Sequence, residues 1–271
     1  MRSVAAAFFV CLLVGCGTTQ TRHTSTSVVD FLYPNVKEPV VAPGTPELRL
    51  PLRVGIAFVP ALGSGAGSGL TEKRKSEVLT EVAEHFRKSA FVRSIEVIPS
   101  AYLRPRGGFA NLNQIRTMYG VDVIALVSYD QTQFSDQGLL SLTYWTIVGA
   151  YVVKGQKNDT HTMLDTVVYD IPSQKLLFRA PGVSEIKGRA TLVNLSEQLR
   201  ADREAGVKEA TAEMIKNLDT QLTAFQAKVK ERPEEFRVVR TDAYRGGGML
   251  DDPMLALAVL LAGAAWLGRR R

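Results

Sequence analysis

The spacing of apolar residues divides the chain into a regular middle and two ends of different character. From Leu52 the run LRVGIAFVP is apolar and β-branched until Pro60, the pattern of a buried strand. A glycine-rich loop, Gly63–Gly69, follows. Across Thr71–Ala90, Val78, Leu79, Val82 and Phe86 recur on one helical face with Lys and Glu opposite, which predicts a helix capped by Thr71. Arg74 stands where a capping box would carry Glu, so the box is absent. SIEVIPS predicts a second strand. Leu112–Tyr119 predicts a short helix ended by Gly120. VDVIALVSYDQTQF predicts a third strand, apolar first and then alternating as it leaves the core.

Beyond this, Leu139–Lys154 is apolar and aromatic, Thr160–Ile171 alternates, and IPSQKLLF predicts a turn into a further strand reaching about Ile186. Leu192, Leu195, Leu199, Val207, Ala210, Met214, Leu218, Leu222, Phe225 and Val229 recur at spacings near three and four. They form the stripe of one long amphipathic helix, which Pro233 stops. The order β-α-β-α-β, then antiparallel strands, then a helix predicts an α/β domain over residues 52–240, three layers around a mixed sheet. With RVGIAFVP as opening strand and GVDVIALVSYD as third strand, the order resembles periplasmic lipoprotein domains of the curli-secretion-channel and penicillin-binding-protein-activator type.

The N-terminus breaks the pattern. Arg2 precedes an apolar run, Val4–Val14, too short to span a bilayer and suited to a secretory signal. It closes on Leu13-Val14-Gly15-Cys16, which matches the lipobox of bacterial lipoproteins. That resemblance implies a signal peptide over residues 1–15, cleavage between Gly15 and Cys16, and a diacylglyceryl thioether on the Cys16 sulfur. Two acyl chains with a third on the new amine exceed the marginal hold of a single chain. By the same resemblance Gly17, where aspartate would favour inner-membrane retention, implies the outer membrane. Residues 16–51 are rich in Thr, Ser and Pro and read as a tether.

The C-terminus mirrors it. Asp252 and Pro253 are N-cap and first-turn residues for an apolar run, Met254–Leu267, which Arg269, Arg270 and Arg271 close. By the bias of basic residues toward the cytoplasm, both ends place the body across the membrane. Gly246, Gly247 and Gly248 leave the backbone before this run unshielded, as a protease requires. Glycines, short transmembrane helix and terminal arginines over residues 241–271 resemble the GlyGly-CTERM sorting tail, proposed substrate of rhombosortase, an intramembrane protease of the rhomboid class. A lipobox paired with such a tail is similar to the rhombotarget lipoprotein family. Asp251 and Asp252, between the glycines and the helix, depart from the pattern and leave the cleaved bond open. A permanent tail anchor is the competing expectation.

Charge and candidate chemistry change this picture little. The net charge of +6, from 33 basic and 27 acidic residues, is spread along the chain, so no nucleic-acid partner is expected. Cys11 and Cys16 are the two cysteines, which excludes a disulfide framework or a cysteine-built metal site in the body. Gly63–Gly69 lacks the Gly-Lys-Ser/Thr of a P-loop and the frame of a dinucleotide loop, although Lys73, Arg74 and Lys75 are candidates to attract an anion. Gly67-Ser68-Gly69 lacks the spacing of a nucleophile elbow. His23, His85 and His161 are far apart, and Asp122, Asp130, Asp165 and Asp170 read as strand-end and turn residues rather than a glycosidase pair. Phe134, Tyr144, Trp145 and Tyr151 read as core or partner surface.

The expectation is an exported bacterial envelope lipoprotein of the outer membrane or cell surface. It carries a noncatalytic binding or assembly domain and needs no cofactor or metal. Its partners are membrane lipid through acylated Cys16, lipoprotein-processing enzymes, a rhomboid-type protease and an envelope protein. The alternative is a pore or envelope-assembly subunit related to the curli-secretion-channel lipoproteins, with Leu139–Ile171 as a membrane-seeking hairpin. A hydrolase is a third class, and no motif supports it.

Overall fold

The computed structural model describes residues 20–34, 44–61, 69–137, 156–191 and 193–240. Eight strands and four α-helices form the described part: β1 (Gln20–Ser25), α1 (Val28–Leu32), β2 (Glu47–Leu50), β3 (Leu52–Phe58), α2 (Glu72–Phe86), β4 (Val92–Val97), α3 (Gly108–Tyr119), β5 (Val123–Gln137), β6 (Gln156–Asp170), β7 (Leu176–Ala190), α4 (Leu195–Glu231) and β8 (Arg237–Arg240). This is a mixed α/β architecture with a mixed sheet and a long C-terminal helix. β3 pairs in parallel with β4 and with β5, while β5, β6 and β7 pair antiparallel. The strand order is β4-β3-β5-β6-β7, and β1 lies antiparallel beside the far half of β5. β2 and β8 form a separate parallel pair.

The continuous apolar start of β5, Val123 to Val127, is explained by cover on both faces. One face packs against α2 and α4, with Ile56, Phe58, Val82, Ala125, Val127, Met214 and Leu218 in the core. The other packs against α1 and α3 through Phe31, Leu32, Leu112, Ile115, Ile124 and Leu126. Thr71 caps α2 as its position predicts, its hydroxyl accepting from the Arg74 N–H at 3.2 Å. Gly120 closes α3 in the left-handed region, φ 65°, where a side chain would strain the backbone.

Three outcomes differ from the patterning or fall beyond it. First, within the stretch that reads as a tether, β1, α1 and β2 belong to the domain. Their signal is weak for physical reasons. β1, QTRHTS, carries no apolar alternation and joins the sheet through backbone pairing. α1 has five residues, of which Val28, Phe31 and Leu32 are buried. Second, β6 begins at Gln156 and β7 runs to Ala190, so both are longer than their alternation indicates. Third, the strand expected over Leu139–Lys154 and the helix expected over Met254–Leu267 lie outside the described residues. Among the described residues no helix is long and apolar enough to cross a membrane.

α4 lies unusually close to the sheet. A Cβ on Gly182 would overlap the Ala210 carbonyl oxygen and stand 2.5 Å from the Met214 amide nitrogen. Gly206 of α4 sits as tightly over Thr162, where a Cβ would lie 2.5 Å from the hydroxyl oxygen. This approach lets α4 side chains reach the outer edge of β7. Glu213 accepts from the Val183 N–H at 2.6 Å, and the Asn217 amide donates to the Pro181 carbonyl at 2.6 Å.

Two substitutions test this packing. Gly182→Ala meets helix backbone, which cannot rotate away, so it is expected to destabilise by at least about 3 kcal/mol, the upper end of overpacking. Leu218, 6% exposed, is expected to cost about 2–5 kcal/mol on Leu218→Ala. Denaturant melts read both; an unshifted midpoint for Gly182→Ala would mean that α4 stands further from β7.

Candidate functional site

Past Val127, β5 alternates, and its two faces meet different neighbours. Gln131, Gln133 and Ser135 point beneath α4. There Gln131 Nε2 donates to Thr162 Oγ1 at 2.7 Å, Gln133 Nε2 to Thr160 Oγ1 at 3.2 Å and to the Leu199 carbonyl at 2.9 Å, and Ser135 Oγ to Asn158 Oδ1 at 3.1 Å. Asp130, Thr132 and Phe134 point the other way, where no described helix covers them.

Strand register turns this alternation into an open surface. Ser25, Asp130, Met163 and Val183 share one row; His23, Thr132, His161 and Glu185 the next; Thr21, Phe134, Asp159 and Lys187 the third. Phe134 is 38% and Val183 54% exposed. His23 Nε2 lies 3.1 Å from Asp130 Oδ1, and the His161 ring meets the Phe134 ring edge to face at 5.9 Å. Lys187 Nζ stands 2.9 Å from Glu185. That hydrogen bond and charge hold the Glu185 carboxyl below its usual range and the Lys187 ammonium above its own. The surface offers aromatic and aliphatic area between charges of both signs.

The candidate residues scatter. His85 bonds Asp219 at 2.8 Å and ties α2 to α4. His23 and His161 fall in one row, a neighbourhood hidden in the sequence because β1 carries no strand signal. Asp122 pairs with Arg53 at 2.7 Å and lies 3.5 Å from Arg116, and Asp165 pairs with Arg179 at 2.8 Å. Asp170 accepts from the Ser173 amide and hydroxyl, closing the turn after β6. Asp130 and Asp165 thus serve separate partners, whereas Asp122 and Asp170 are close enough for the Asp122 charge to raise the Asp170 carboxyl, and Arg116 acts on both. Arg74 pairs with Glu77 and Glu204, Lys75 with Glu72, and Lys73 stands 3.9 Å from Glu77. Residues 62–68 of the glycine loop lie outside the described residues, as do Tyr144, Trp145, Tyr151, Gly15, Cys16, Gly246, Gly247, Gly248, Arg269, Arg270 and Arg271. Among the described residues no group of three His, Cys, Asp or Glu is placed to hold a metal ion.

No protein-family model matches the chain, and no curated protein matches it significantly. Among solved structures it is similar to a dodecameric PelC variant from Paraburkholderia phytofirmans, at 9% identity and a TM-score of 0.32, over 75% of this chain and 98% of that one. The PelC dodecamer from the same organism in another crystal form gives 10% identity and a TM-score of 0.24, over 74% of this chain and 96% of that one. Overlap this loose carries no argument about a shared activity.

Burial pushes the Asp170 carboxyl above its usual range, against the lowering effect of the Ser173 hydrogen bonds. A carboxyl raised by folding contributes most stability below its unfolded pKa of about 3.9, and loses it as pH rises through the folded value. Asp170→Asn keeps an acceptor for Ser173 and removes the charge. Its melting temperature relative to the parent is therefore expected to rise from pH 3.5 toward neutrality, read by circular dichroism across a pH series. A constant difference would mean that Asp170 ionises as freely folded as unfolded.

Proposed function

We propose that the protein is an exported envelope lipoprotein, held to a membrane through acylated Cys16, whose domain binds or assembles a partner on the open face of β1, β5, β6 and β7. It acts without catalysis. Its layers of helix on both sides of the sheet serve as a rigid frame for that face. The observation that carries the reading is the placement of the Leu13-Val14-Gly15-Cys16 box directly ahead of β1, which begins at Gln20. Four residues span at most about 14 Å, so a lipid on Cys16 would hold the start of β1 close to the bilayer. Through the pairing of Gln20 with Ser135 and of Ser135 with Asn158, that end of β5 and β6 would be held there too. The strands would then rise away from the membrane. Gly17, by the lipoprotein resemblance, supports an outer-membrane or surface location, and the tail over residues 241–271 would be removed by a rhomboid-type protease at Gly246–Gly248.

Cys16→Ser is expected to abolish labelling by palmitate and to release the protein from the membrane fraction. Palmitate uptake by the Ser variant would overturn the reading. Replacing Gly246, Gly247 and Gly248 by valine is expected to leave Trp266 and the closing arginines in the intact mass of the native protein, while the parent lacks them. A parent that retains them has a permanent tail anchor instead.

One observation favours the alternative of an envelope pore or assembly subunit. The β5–β6 pairing continues unbroken to Gln137 and Gln156, so the two residues that flank the apolar stretch lie at the end of the sheet that Cys16 would bring to the bilayer. β6 itself is packed between β5 and β7, which leaves residues 138–155 for that role. In a Trp266→Phe chain, Trp145 is the single tryptophan, and quenching by brominated lipid reports whether it enters the membrane.

A further inference from the structure

On the side of the sheet away from the open face, a cavity of about 70 Å³ lies between α2, α4 and the strands. Its floor is Val54, Ile56, Val123, Ala125 and Val168, and its walls include Phe86, Phe91, Phe178, Leu218 and Leu222. Thr166 is the polar member of the lining, and its hydroxyl is spent on the Met214 sulfur at 2.9 Å. The lining therefore offers a water almost nothing to bond. Val54, Val92, Phe178 and Leu222 are only partly buried, and they mark where it reaches the surface.

We propose that this cavity is a binding site for the end of a single alkyl chain, such as that of a fatty acid or another one-chain amphiphile. Three features carry the assignment. The lining offers dispersion contact and no hydrogen bond, which selects hydrocarbon over any polar ligand. An apolar cavity of about 150 Å³ stays dry and takes up benzene; this one, at half that volume, accepts the last few carbons of a chain and leaves the rest at the mouth. The two helices that bound it are tied across exposed edges by His85–Asp219 and Arg74–Glu204. Ion pairs of this kind contribute little, so the cost of widening the mouth lies in the apolar contacts of Val82, Phe86 and Leu218 and limits the site to one thin chain. The site is independent of the open sheet face and of the fate of Cys16.

The test uses the full-length chain in unfractionated cell lysate, with a saturated fatty acid carrying a diazirine on its chain as probe. On illumination, adducts are expected on peptides of α2 and α4 that contain Val82, Phe86, Leu218 and Leu222. Ala125→Leu, which adds carbon into the floor, is expected to abolish them while circular dichroism stays that of the parent. If that variant does not fold, Leu222→Trp at the rim is read instead, with the same loss expected. The Cys16→Ser chain is expected to label as the parent does. A gain of labelling there would show that the protein's own lipid fills the site in the parent and would overturn a free ligand. Absent adducts, adducts confined to peptides outside the lining, or adducts untouched by both filling variants would each overturn the proposal.

Discussion

The pairing of β5 with β6 is the constraint from which the rest of the domain follows. It runs from Val123 opposite Asp170 to Gln137 opposite Gln156 without a bulge. A slip of one residue would turn Gln131 and Gln133 out and bring Asp130 and Phe134 beneath α4. β5 also carries the other edge of the sheet, with β3 beside its first half and β1 beside its second. One strand therefore belongs to two environments. Its start is buried on both faces, and its far half is buried on one and open on the other.

The layer between α4 and the far half of β5 shows what fixes that register. The N-terminal part of α4 rests on amides and hydroxyls rather than on aliphatic side chains. Gln133 spans both partners, bonding Thr160 across the sheet and the Leu199 carbonyl on the helix, while Arg203 returns a bond to Gln133 at 3.3 Å. Buried polar groups are costly when unmet and directional when met, so this layer accepts one seating of the helix. The C-terminal part of α4, through Met214, Leu218 and Phe225, supplies the apolar burial that the polar layer lacks.

Elements with a strong local period were legible in the sequence. β3, α2 with its Thr71 cap, the Gly120 stop and the long helix ending before Pro233 all follow from spacing and end residues. The failures have a common cause. β1 is polar on every residue from Gln20 to Ser25, and only the partner strand reveals it as a strand. α1 is shorter than two turns, below the length at which a period is readable. β2 finds its partner β8 at the far end of the domain, a pairing that no local signal encodes. The open face was hidden for the same reason, since it exists only once four strands are in register. The roles of Asp122 and Asp165 as ion-pair partners were anticipated only as unremarkable strand ends. Cys16 and the glycine tail stand on motif alone, since the processing proposed for them would be read by enzymes from the chain itself and not from the fold.

The reach of α4 over the edge of β7 bears on how these molecules would behave when crowded. An anchored protein is confined to a plane, where neighbours meet far more often than in free solution, and a bare strand edge then invites chains to zip together. Here Glu213 and Asn217 already occupy backbone groups of Val183 and Pro181, and proline has no N–H to offer. Glu185, Lys187 and Arg189 line the remainder of the edge with charge. On an anchored chain the helix that stiffens the domain would thus also act as a fender, keeping packed copies from growing their sheets into one another.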